Sequence, residues 1–384
     1  MSKIKNVIIT GVSGQDGSYM SDYLLENTDC KVFGMIRRSS KPDYSNLQKA
    51  LKNPRFEFVI GDLSDSNSIE NLVREIQPDY FINFAAQSFV GASWQISEQT
   101  FDVTATGVLR ILESIRKHTP HCRFYSAGSS EEMGDVIYSP QDINHPIRPR
   151  SPYAAAKAAS RFLTKVYRES YNLYAVHCIL YNHESERRGE EFVTRKITKN
   201  VARIKYAIDN RINFGPLELG NIDSKRDWSH AKDFVEGIWL MMNQPILIET
   251  DGVKHQKGTC CGTIIDHKPK EYILSSGETH SIREFVEKAF KVAGINGTWI
   301  GKGQEEVFIR TLNYPNATLG GGCLVKINPK FYRPAEVDIL LGDSAPAREE
   351  LGWKPKISFD KLVSGMVLSD IDEFRKAQKA AQTQ

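Results

Sequence analysis

The feature that most constrains the fold is a short apolar strand that runs straight into a glycine-rich turn and a helix. The strand spans residues 7–10, the turn has the spacing G-x-x-G-x-x-G, and the helix follows over 18–26. Glycines let a backbone approach a pyrophosphate closely, and the positive end of a helix attracts the charge of that group. This order of elements predicts a dinucleotide site. The cofactor-binding residues predicted in the turn are Gly11, Gly14, Gln15, Asp16 and Gly17.

Strands and helices continue to alternate through the first half of the chain. Further strands are predicted at 31–36, 56–60, 80–84, 123–126 and 174–181, with helices at 67–76, at 98–118 and around Tyr153. This rhythm is typical of an α/β fold with a doubly wound parallel sheet of the Rossmann type. Because the pattern changes after Asn182, we expect a second, smaller α/β domain that is mainly C-terminal and binds the substrate.

The domain bounds follow from that change of pattern. We expect residues 1–182 and 225–250 to form the cofactor-binding domain, and 183–224 and 251–384 to form the substrate-binding domain. In the latter part of the chain, 212–219 alternate like a pair of strands, and 221–228 have the composition of a polar loop. Residues 250–270 are rich in polar residues, glycine and lysine, which predicts an inserted loop.

An arginine pair stands where the second strand ends. Proteins that bind NAD usually carry an acidic residue at this position for the ribose hydroxyls, whereas an arginine accommodates a 2′-phosphate. Arg37, Arg38 and Ser39 therefore favour NADP as the cofactor. The alternative is a loop of solvated basic residues.

Other strand ends carry further cofactor candidates. Asp62 follows the third strand, where it can accept from an adenine amino group or instead cap a turn or helix. Small residues after the fourth strand allow the backbone to approach the cofactor. The candidates at these ends, and after the strand at 174–181, are Asp62, Leu63, Ala85, Gln87, Ser88 and His183.

A tyrosine and a lysine four residues apart are the first catalytic candidates. Tyr153 and Lys157 lie in an alanine-rich run, so on a helix they share one face. A neighbouring ammonium favours a phenolate, and such a tyrosine can take a proton from an alcohol as hydride leaves the carbon. On its own this spacing also fits an ordinary surface helix. Ser129, Ser130 and Glu131 follow the strand before them, at the sheet edge where open α/β sheets bind ligands.

Composition excludes several classes of function. The 384 residues carry a formal charge of only +3, which is too small to indicate nucleic acid. The six cysteines show neither zinc spacing nor a disulfide framework, so we predict no metal site and expect reduced thiols in a cytoplasmic protein. No apolar run is long enough to span a bilayer, and the first residues lead straight into a strand without a signal peptide.

These motifs resemble the extended short-chain dehydrogenase/reductase family, and within it the branch that dehydrates GDP-mannose. The resemblance covers nearly the whole chain. The stretches that carry it are TGVSGQDGSYM at 10–20, IRRSS at 36–40, GDLSD at 61–65, PRSPYAAAK at 149–157, YRESY at 167–171, NHESERRGEEFVTRKI at 182–197, GNIDSKRDW at 220–228, HAKD at 230–233 and FYRPAEVD at 331–338. The later stretches are the ones most specific to dehydratases of GDP-sugars.

The resemblance implies a redox cycle that regenerates its own NADP. Tyr153, supported by Lys157, would accept the C4 hydroxyl proton, and Ser129 stands where the family has a threonine that polarises the C4 oxygen. Glu131 would remove the C5 proton as water leaves from C6, and Tyr153 and Lys157 would also contact the cofactor. The residues implied to bind the GDP-sugar are Ser88, Ser130, Asn182, Thr194, Arg195, Lys196, Arg226, Arg333 and Glu336. In this family the Arg37–Arg38 segment reaches a neighbouring subunit, which implies a homodimer or homotetramer.

Departures from the family pattern leave alternatives open. The family usually reads S-T-S-E-L-Y-G where this chain reads G-S-S-E-E-M-G, so Glu131 and Glu132 are adjacent and only one can face the sugar. The altered pair Glu132 and Met133 permits another GDP-sugar, such as GDP-manno-heptose. A non-catalytic NADP-binding protein and an epimerase share the fold, but the retained Ser129 and Glu131 argue against both.

Overall fold

The computed structural model describes residues 5–244, 247–250, 253–256, 263–266, 268–311, 322–332 and 339–382. Its strands are β1 Asn6–Thr10, β2 Lys31–Ile36, β3 Phe56–Ile60, β4 Tyr80–Asn83, β5 Arg123–Ala127, β6 Ala175–Leu180, β7 Asn182–Glu184, β8 Leu217–Leu219, β9 Lys225–Arg226, β10 Trp228–His230, β11 Leu247–Thr250, β12 Val253–Gln256, β13 Thr263–Asp266, β14 Tyr272–Leu274, β15 His280–Ser281, β16 Gly297–Ile300, β17 Val307–Arg310, β18 Cys323–Ile327 and β19 Ile339–Leu340. Its α-helices are α1 Gln15–Asn27, α2 Ser66–Ile76, α3 Ser97–Phe101, α4 Gly107–His118, α5 Pro152–Ser170, α6 Val193–Asp209, α7 Ala231–Met242, α8 Ile282–Val292, α9 Ala345–Leu351 and α10 Phe359–Gln382.

The chain divides into two compact units. The first comprises Met1–Tyr181, Ala231–Gly277 and Gly342–Pro355, and the second Asn182–His230, Glu278–Leu341 and Lys356–Gln384. This division differs from the expected domain bounds, which placed 251–277 and 342–355 in the second domain, and Asn182 and 225–230 in the first. The physical reason is pairing over long sequence distances: β14 adds to the sheet of the first unit, whereas β9 and β10 pair with strands of the second.

The first unit is built on a parallel sheet of seven strands in the order β14-β6-β5-β4-β1-β2-β3. Apolar cores lie on both faces of this sheet, so its central strands are mainly apolar. In β1, for example, Val7 and Ile9 pack into one hydrophobic core and Ile8 into the other. The predicted Rossmann fold is confirmed. The strand order reverses between β1 and β4, which is where such sheets bind ligands.

Two helices of the first unit show why the sequence forms them where it does. Helix α5 begins where Ser151 accepts a hydrogen bond from the amide of Ala154, with Pro152 in the first turn. The helix predicted at 98–118 is two helices, α3 and α4, joined by a π-helical turn at Asp102–Thr106.

The second unit contains a four-stranded sheet in the order β16-β17-β18-β8, and helices α6, α8 and α10 contribute to its core. The predicted strand pair at 212–219 is wrong, because only 217–219 forms a strand. Gly215 and Pro216 explain the difference, since proline cannot donate a hydrogen bond to a sheet ladder.

Two predicted loops contain strands. Residues 221–228 contribute β9 and the start of β10, and the segment at 250–270 includes β12 and β13, which pair antiparallel with β11. Polar composition concealed these strands, because backbone pairing does not require an apolar side chain. Within the described residues, no helix has the length and apolarity needed to cross a membrane.

Candidate active site

The candidate site of the first unit is assembled from the segments that follow β1 to β5. Because parallel strands share one carboxyl edge, these segments come together even though they are far apart in the chain. A direct link joins two of them: the Thr10 hydroxyl donates to the side-chain oxygen of Asn83 at 2.6 Å and accepts from the Ala85 amide at 3.1 Å. Thus the glycine-rich turn after β1 lies beside the small residues after β4.

Two glycines of the turn are required by its geometry. Gly11 has a φ of +63°, and a side chain there would place Cβ 3.0 Å from the Ala85 nitrogen. A Cβ at Gly17 would lie 2.4 Å from the Gly11 oxygen. Helix α1 begins at Gln15 after Gly14, an N-cap residue with no side chain to cap it. A tight turn that ends at an uncapped helix N-terminus fits a pyrophosphate.

The ends of β2 and β3 carry the other polar cofactor candidates. Arg37, Arg38 and Ser39 are all exposed immediately after β2. One carboxylate oxygen of Asp62 accepts from the Ser64 amide at 2.9 Å and from the Ser64 hydroxyl at 2.7 Å, so this aspartate stabilises a turn. Burial acts to raise the pKa of Asp62, but these hydrogen bonds and the charge of Arg37 hold it below its ordinary value.

The next three candidates differ in exposure. Leu63 is buried and its carbonyl accepts from Arg110 at 2.8 Å. Gln87 is partly exposed and donates to the Phe89 carbonyl at 3.2 Å, while Ser88 is exposed.

The turn after β5 carries the predicted acid/base group. A 3-10 turn at Ser130–Glu132 begins at Ser129, whose hydroxyl accepts from the Glu131 amide at 3.2 Å. Ser129 and Glu131 are partly exposed, whereas Ser130 and Glu132 are buried, Glu132 completely. The structure therefore distinguishes the two adjacent glutamates: only Glu131 retains exposed surface.

Tyr153 and Lys157 lie on the buried face of α5, as predicted. The Lys157 ammonium is 5.8 Å from the centroid of the Tyr153 ring and donates to the carbonyl of Ala127, the last residue of β5, at 2.5 Å. Burial lowers the pKa of Lys157 to about 8, although the charges of Glu132 and Asp16 oppose this shift. The hydrogen bond to Ala127 joins the helix of the tyrosine to the strand that leads to Ser129 and Glu131.

A buried polar partner of this turn was not identified from the sequence. His177 in β6 is fully buried, and its Nε2 lies 2.9 Å from Oε1 of Glu132. The signal available in the sequence was a histidine inside an otherwise apolar strand, A-V-H-C-I-L. That signal is weak, because it gives no indication of the partner.

In the second unit, several nucleotide-binding candidates already have protein partners. The Thr194 hydroxyl donates to Glu184 at 2.5 Å. The Arg195 guanidinium pairs with Asp370 at 2.9 Å and Glu373 at 3.2 Å, and also donates to the Glu186 carbonyl. These contacts give Thr194 and Arg195 a role inside the unit that the sequence did not indicate.

The remaining candidates are more varied. The Lys196 ammonium lies 3.6 Å from the centroid of the Phe331 ring and is partly exposed. The buried side-chain oxygen of Asn182 has no hydrogen-bond partner within the part of the chain that is described. Arg226 and His183 are buried, and His183 lies in β7 opposite Ser229 of β10. Arg333 and Glu336 lie outside the described residues.

Comparisons with known proteins identify relatives over nearly the whole chain. A family model described as GDP-mannose 4,6 dehydratase matches residues 8–263 and 259–366. The chain is 43% identical over 383 residues to a GDP-mannose 4,6 dehydratase of Drosophila melanogaster, which covers 98% of this chain and 88% of that protein. It is 39% identical to such proteins of Yersinia enterocolitica, with coverage of 97% and 95%, and of Homo sapiens, with coverage of 98% and 94%.

Solved structures show the same fold at low sequence identity. A dTDP-glucose 4,6-dehydratase of Streptomyces venezuelae, solved with NAD, has a TM-score of 0.74 at 21% identity and covers 97% of this chain and 98% of that one. The RMD protein of Pseudomonas aeruginosa, solved with NADPH, has a TM-score of 0.68 at 19% identity, with coverage of 96% and 99%. These structures support the fold, and the full-length matches decide the family within it. The chain belongs to the GDP-mannose 4,6-dehydratase family.

Proposed function

We propose that the protein removes water from GDP-mannose to give GDP-4-keto-6-deoxymannose, with NADP as a cofactor that is regenerated in each cycle. The observation that carries this proposal is the 2.5 Å hydrogen bond from Lys157 to Ala127. This bond fixes α5, the helix that carries Tyr153, to β5, and Ser129 and Glu131 follow the end of β5. A simple alcohol reductase has no need of a carboxylate at that strand end, whereas an elimination requires an acid/base group there.

Tyr153 is the proposed base for the C4 hydroxyl of the sugar. The ammonium of Lys157 favours the phenolate form of a nearby tyrosine. The pKa of Lys157, about 8, leaves this ammonium mainly protonated at neutral pH. The Ser129 hydroxyl accepts a hydrogen bond from the backbone amide of Glu131. It therefore keeps its own proton, which it can donate to the C4 oxygen of the sugar.

Glu131 is the proposed group for the elimination. A ketone at C4 acidifies the proton on C5, so the carboxylate can remove that proton. The same carboxyl group then gives a proton to the departing C6 hydroxyl, which leaves as water and restores the carboxylate. Partial exposure of Glu131 is compatible with access to a bound sugar, whereas complete burial of Glu132 is not.

The residues present fit NADP. Gly11, Gly14 and Gly17 form a tight turn in which a Cβ at Gly11 or Gly17 would collide with neighbouring backbone. The turn leads into α1, which would direct its N-terminus at the pyrophosphate. Exposed Arg37 and Arg38 would bind the 2′-phosphate, with Ser39 beside them. When bound, NADP would supply the hydride transfer: it would accept hydride from C4 and return it to C6, and C5 would then take a proton from water as the C4 ketone re-forms.

Residues of the second unit are proposed to bind the GDP part of the substrate. Lys196 and Arg226 supply positive charge for the diphosphate. The side-chain oxygen of Asn182, which has no hydrogen-bond partner among the described residues, supplies an acceptor. Thr194 and Arg195 would hold the start of α6 through their internal contacts. Arg333 and Glu336 remain predicted nucleotide ligands.

Burial weakens the case for a different sugar. The departures at Glu132 and Met133 were the reason to consider GDP-manno-heptose, yet both side chains have no exposed surface. They cannot contact a sugar directly, so these two departures give no reason to prefer another GDP-sugar over GDP-mannose.

Incubation of the purified protein with GDP-mannose and NADP tests this function. We expect a product lighter by one water, identified by mass spectrometry, without net reduction of the cofactor. Conversion of GDP-manno-heptose in preference to GDP-mannose would assign the alternative substrate, and failure to convert either would refute dehydration of these sugars.

Replacement of the elimination base separates its step from the oxidation of the sugar. We expect Glu131→Gln to lower kcat by about 10²–10⁴-fold while exchange of the C4 hydrogen with the cofactor persists, because only the acid/base group is lost. The matched control is Glu75→Gln on α2, an exposed carboxylate that should not alter turnover. Unchanged turnover in Glu131→Gln would remove this residue from the mechanism.

We also propose that the protein works as a homodimer. Helices α3, α4 and α5 border an open groove of about 490 Å³ lined by apolar side chains, among them Phe101, Leu109, Phe162 and Val166. A second copy of the same surface would cover these side chains by isologous packing.

A further inference from the structure

The fully buried pair Glu132 and His177 lies directly behind the catalytic turn. Oε1 of Glu132 is 2.9 Å from Nε2 of His177 and accepts from the Ser129 amide at 2.7 Å. The other imidazole nitrogen of His177 is 3.2 Å from the Ser126 hydroxyl. One carboxylate oxygen therefore connects the 3-10 turn to β6, and the imidazole connects β6 to β5.

Charges around Glu132 compensate its burial. Burial acts to raise the pKa of Glu132, but the charge of His177, its hydrogen bond and that of the Ser129 amide hold the pKa below its ordinary value. The carboxylate is therefore ionised at neutral pH, so the imidazole nitrogen that faces it must be the donor. Lys157 and Arg161 of α5 add further positive charge nearby.

The backbone is adapted to this pair. A Cβ at Gly128 would lie 2.3 Å from Nε2 of His177 and 2.5 Å from the Cys178 carbonyl oxygen. The second carboxylate oxygen of Glu132 has no hydrogen-bond partner within the described chain. Buried ion pairs are seldom a source of net stability, because desolvation offsets the attraction. Packing alone therefore gives little reason for an ionised carboxylate at this position.

We propose that Glu132 and His177 form a positioning pair that holds the Ser129–Glu131 turn in its reactive geometry. Resting on the proposed function, this inference adds two residues that do not touch the substrate. The Glu132 carboxylate accepts a hydrogen bond from the Ser129 amide, and this bond fixes the start of the turn. His177 holds the carboxylate in place, and the turn then presents Ser129 and Glu131 outward. The two adjacent glutamates thus have separate roles, one structural to the turn and one chemical.

Loss of the pair should affect the chemical steps more than binding. A misplacement of a reacting group by about 1 Å can cost about 10²-fold in rate. Ser129 and Glu131 act on C4 and C5 of the sugar, while GDP is proposed to bind to residues of the second unit. We therefore expect kcat to fall with KM nearly unchanged, and the elimination to become slow enough for reduced nicotinamide to accumulate.

Four substitutions test the pair in the full-length protein. Glu132→Gln retains an acceptor for the Ser129 amide, and His177→Gln retains a donor toward Glu132, so each should keep turnover within about tenfold of wild type. Glu132→Leu and His177→Leu remove these groups, and each should lower kcat by about 10²-fold with KM changed by less than about threefold. Glu113→Gln, a carboxylate that accepts from Tyr167 and Arg116 elsewhere in the same unit, is the control for loss of a charged hydrogen bond.

Two readouts distinguish positioning from a general loss of stability. Near-ultraviolet absorbance in a single turnover should show reduced nicotinamide accumulating in the two leucine variants and not in the control. Amide hydrogen exchange, which needs no substrate, should become faster at Ser129–Met133 in Glu132→Leu. If Glu132→Leu fails to fold, the proposal is tested instead by comparing kcat of His177→Gln with kcat of His177→Leu.

The proposal is overturned if Glu132→Leu is folded and keeps kcat within about threefold of wild type, or if amide exchange in the turn is unchanged. Equal losses in His177→Gln and His177→Leu would also refute it. Failure of the proposed function would instead appear as wild-type protein that does not convert GDP-mannose, whereas the exchange experiment would still report on the pair.

Discussion

At the scale of one residue, Lys157 is a buried charge that lowers the free energy of unfolding of the protein. Its ammonium is almost completely buried and has a carbonyl as its hydrogen-bond partner, which satisfies one of its three protons. Burial lowers its pKa from 10.5 to about 8, so the folded protein holds this proton less tightly than the unfolded chain. The role proposed for Tyr153 as a base nevertheless requires the charge of Lys157.

We expect Lys157→Met to abolish turnover and to raise the free energy of unfolding by about 1–2 kcal/mol at neutral pH. The sign follows from the lowered pKa: wild type carries the full cost of a buried charge below pH 8 and loses that cost as pH rises toward 10.5. The advantage of the variant should therefore shrink over this range. Urea unfolding of both proteins at neutral and alkaline pH measures this difference in stability. A variant less stable than wild type at neutral pH would contradict the prediction.

At the scale of elements, one carboxylate fixes α5, the helix that carries Tyr153 and Lys157, to the sheet. Glu271 immediately precedes β14 and pairs with Arg161 and Arg168 of α5, each at 3.1 Å. All three side chains are at most 12% exposed. Removal of one partner from such a group leaves uncompensated buried charge, which costs about 3–5 kcal/mol.

Glu271→Gln should therefore destabilise the protein by about 3 kcal/mol or more, because two buried arginines lose their counter-charge. Urea unfolding measures the change. The matched control is Glu57→Gln, which removes a carboxylate from an exposed pair with Lys31 and should cost less than about 1 kcal/mol. Equal effects of the two substitutions would show that Glu271 does not anchor α5.

At the scale of the whole molecule, the surface of α3 to α5 suggests assembly. Phe162 is 54% exposed, Val166 is 50% exposed and Phe101 is 47% exposed, and all three line the apolar groove. Contiguous exposed apolar surface of this kind is typical of interaction sites. The net charge of +3 is too small to oppose the association of two copies.

Phe162→Glu should convert the proposed dimer to a monomer, because a carboxylate placed in the interface would be desolvated without a partner. Sedimentation velocity measures the oligomeric state of the wild type and the variant. Ile212→Glu is the control, since Ile212 is 53% exposed in the second unit and does not line the groove. A monomeric wild type, or a Phe162→Glu variant that remains dimeric, would exclude this interface.

The sequence by itself determined the features that depend on local chemistry. The strands β2 and β3 and the helix with Tyr153 and Lys157 on one face lie where the pattern predicts them. The glycine spacing similarly predicts the turn after β1. These features are local because hydrogen bonding and side-chain periodicity within a few residues fix them.

Only the tertiary structure decided which of two adjacent glutamates is exposed. Glu131 and Glu132 are equivalent in local composition, and what separates them is His177, 45 residues further along the chain. The same reason explains β14 joining the central sheet beside β6, and Arg195 pairing with Asp370 on α10. Each depends on contacts between segments distant in sequence, which no local pattern records.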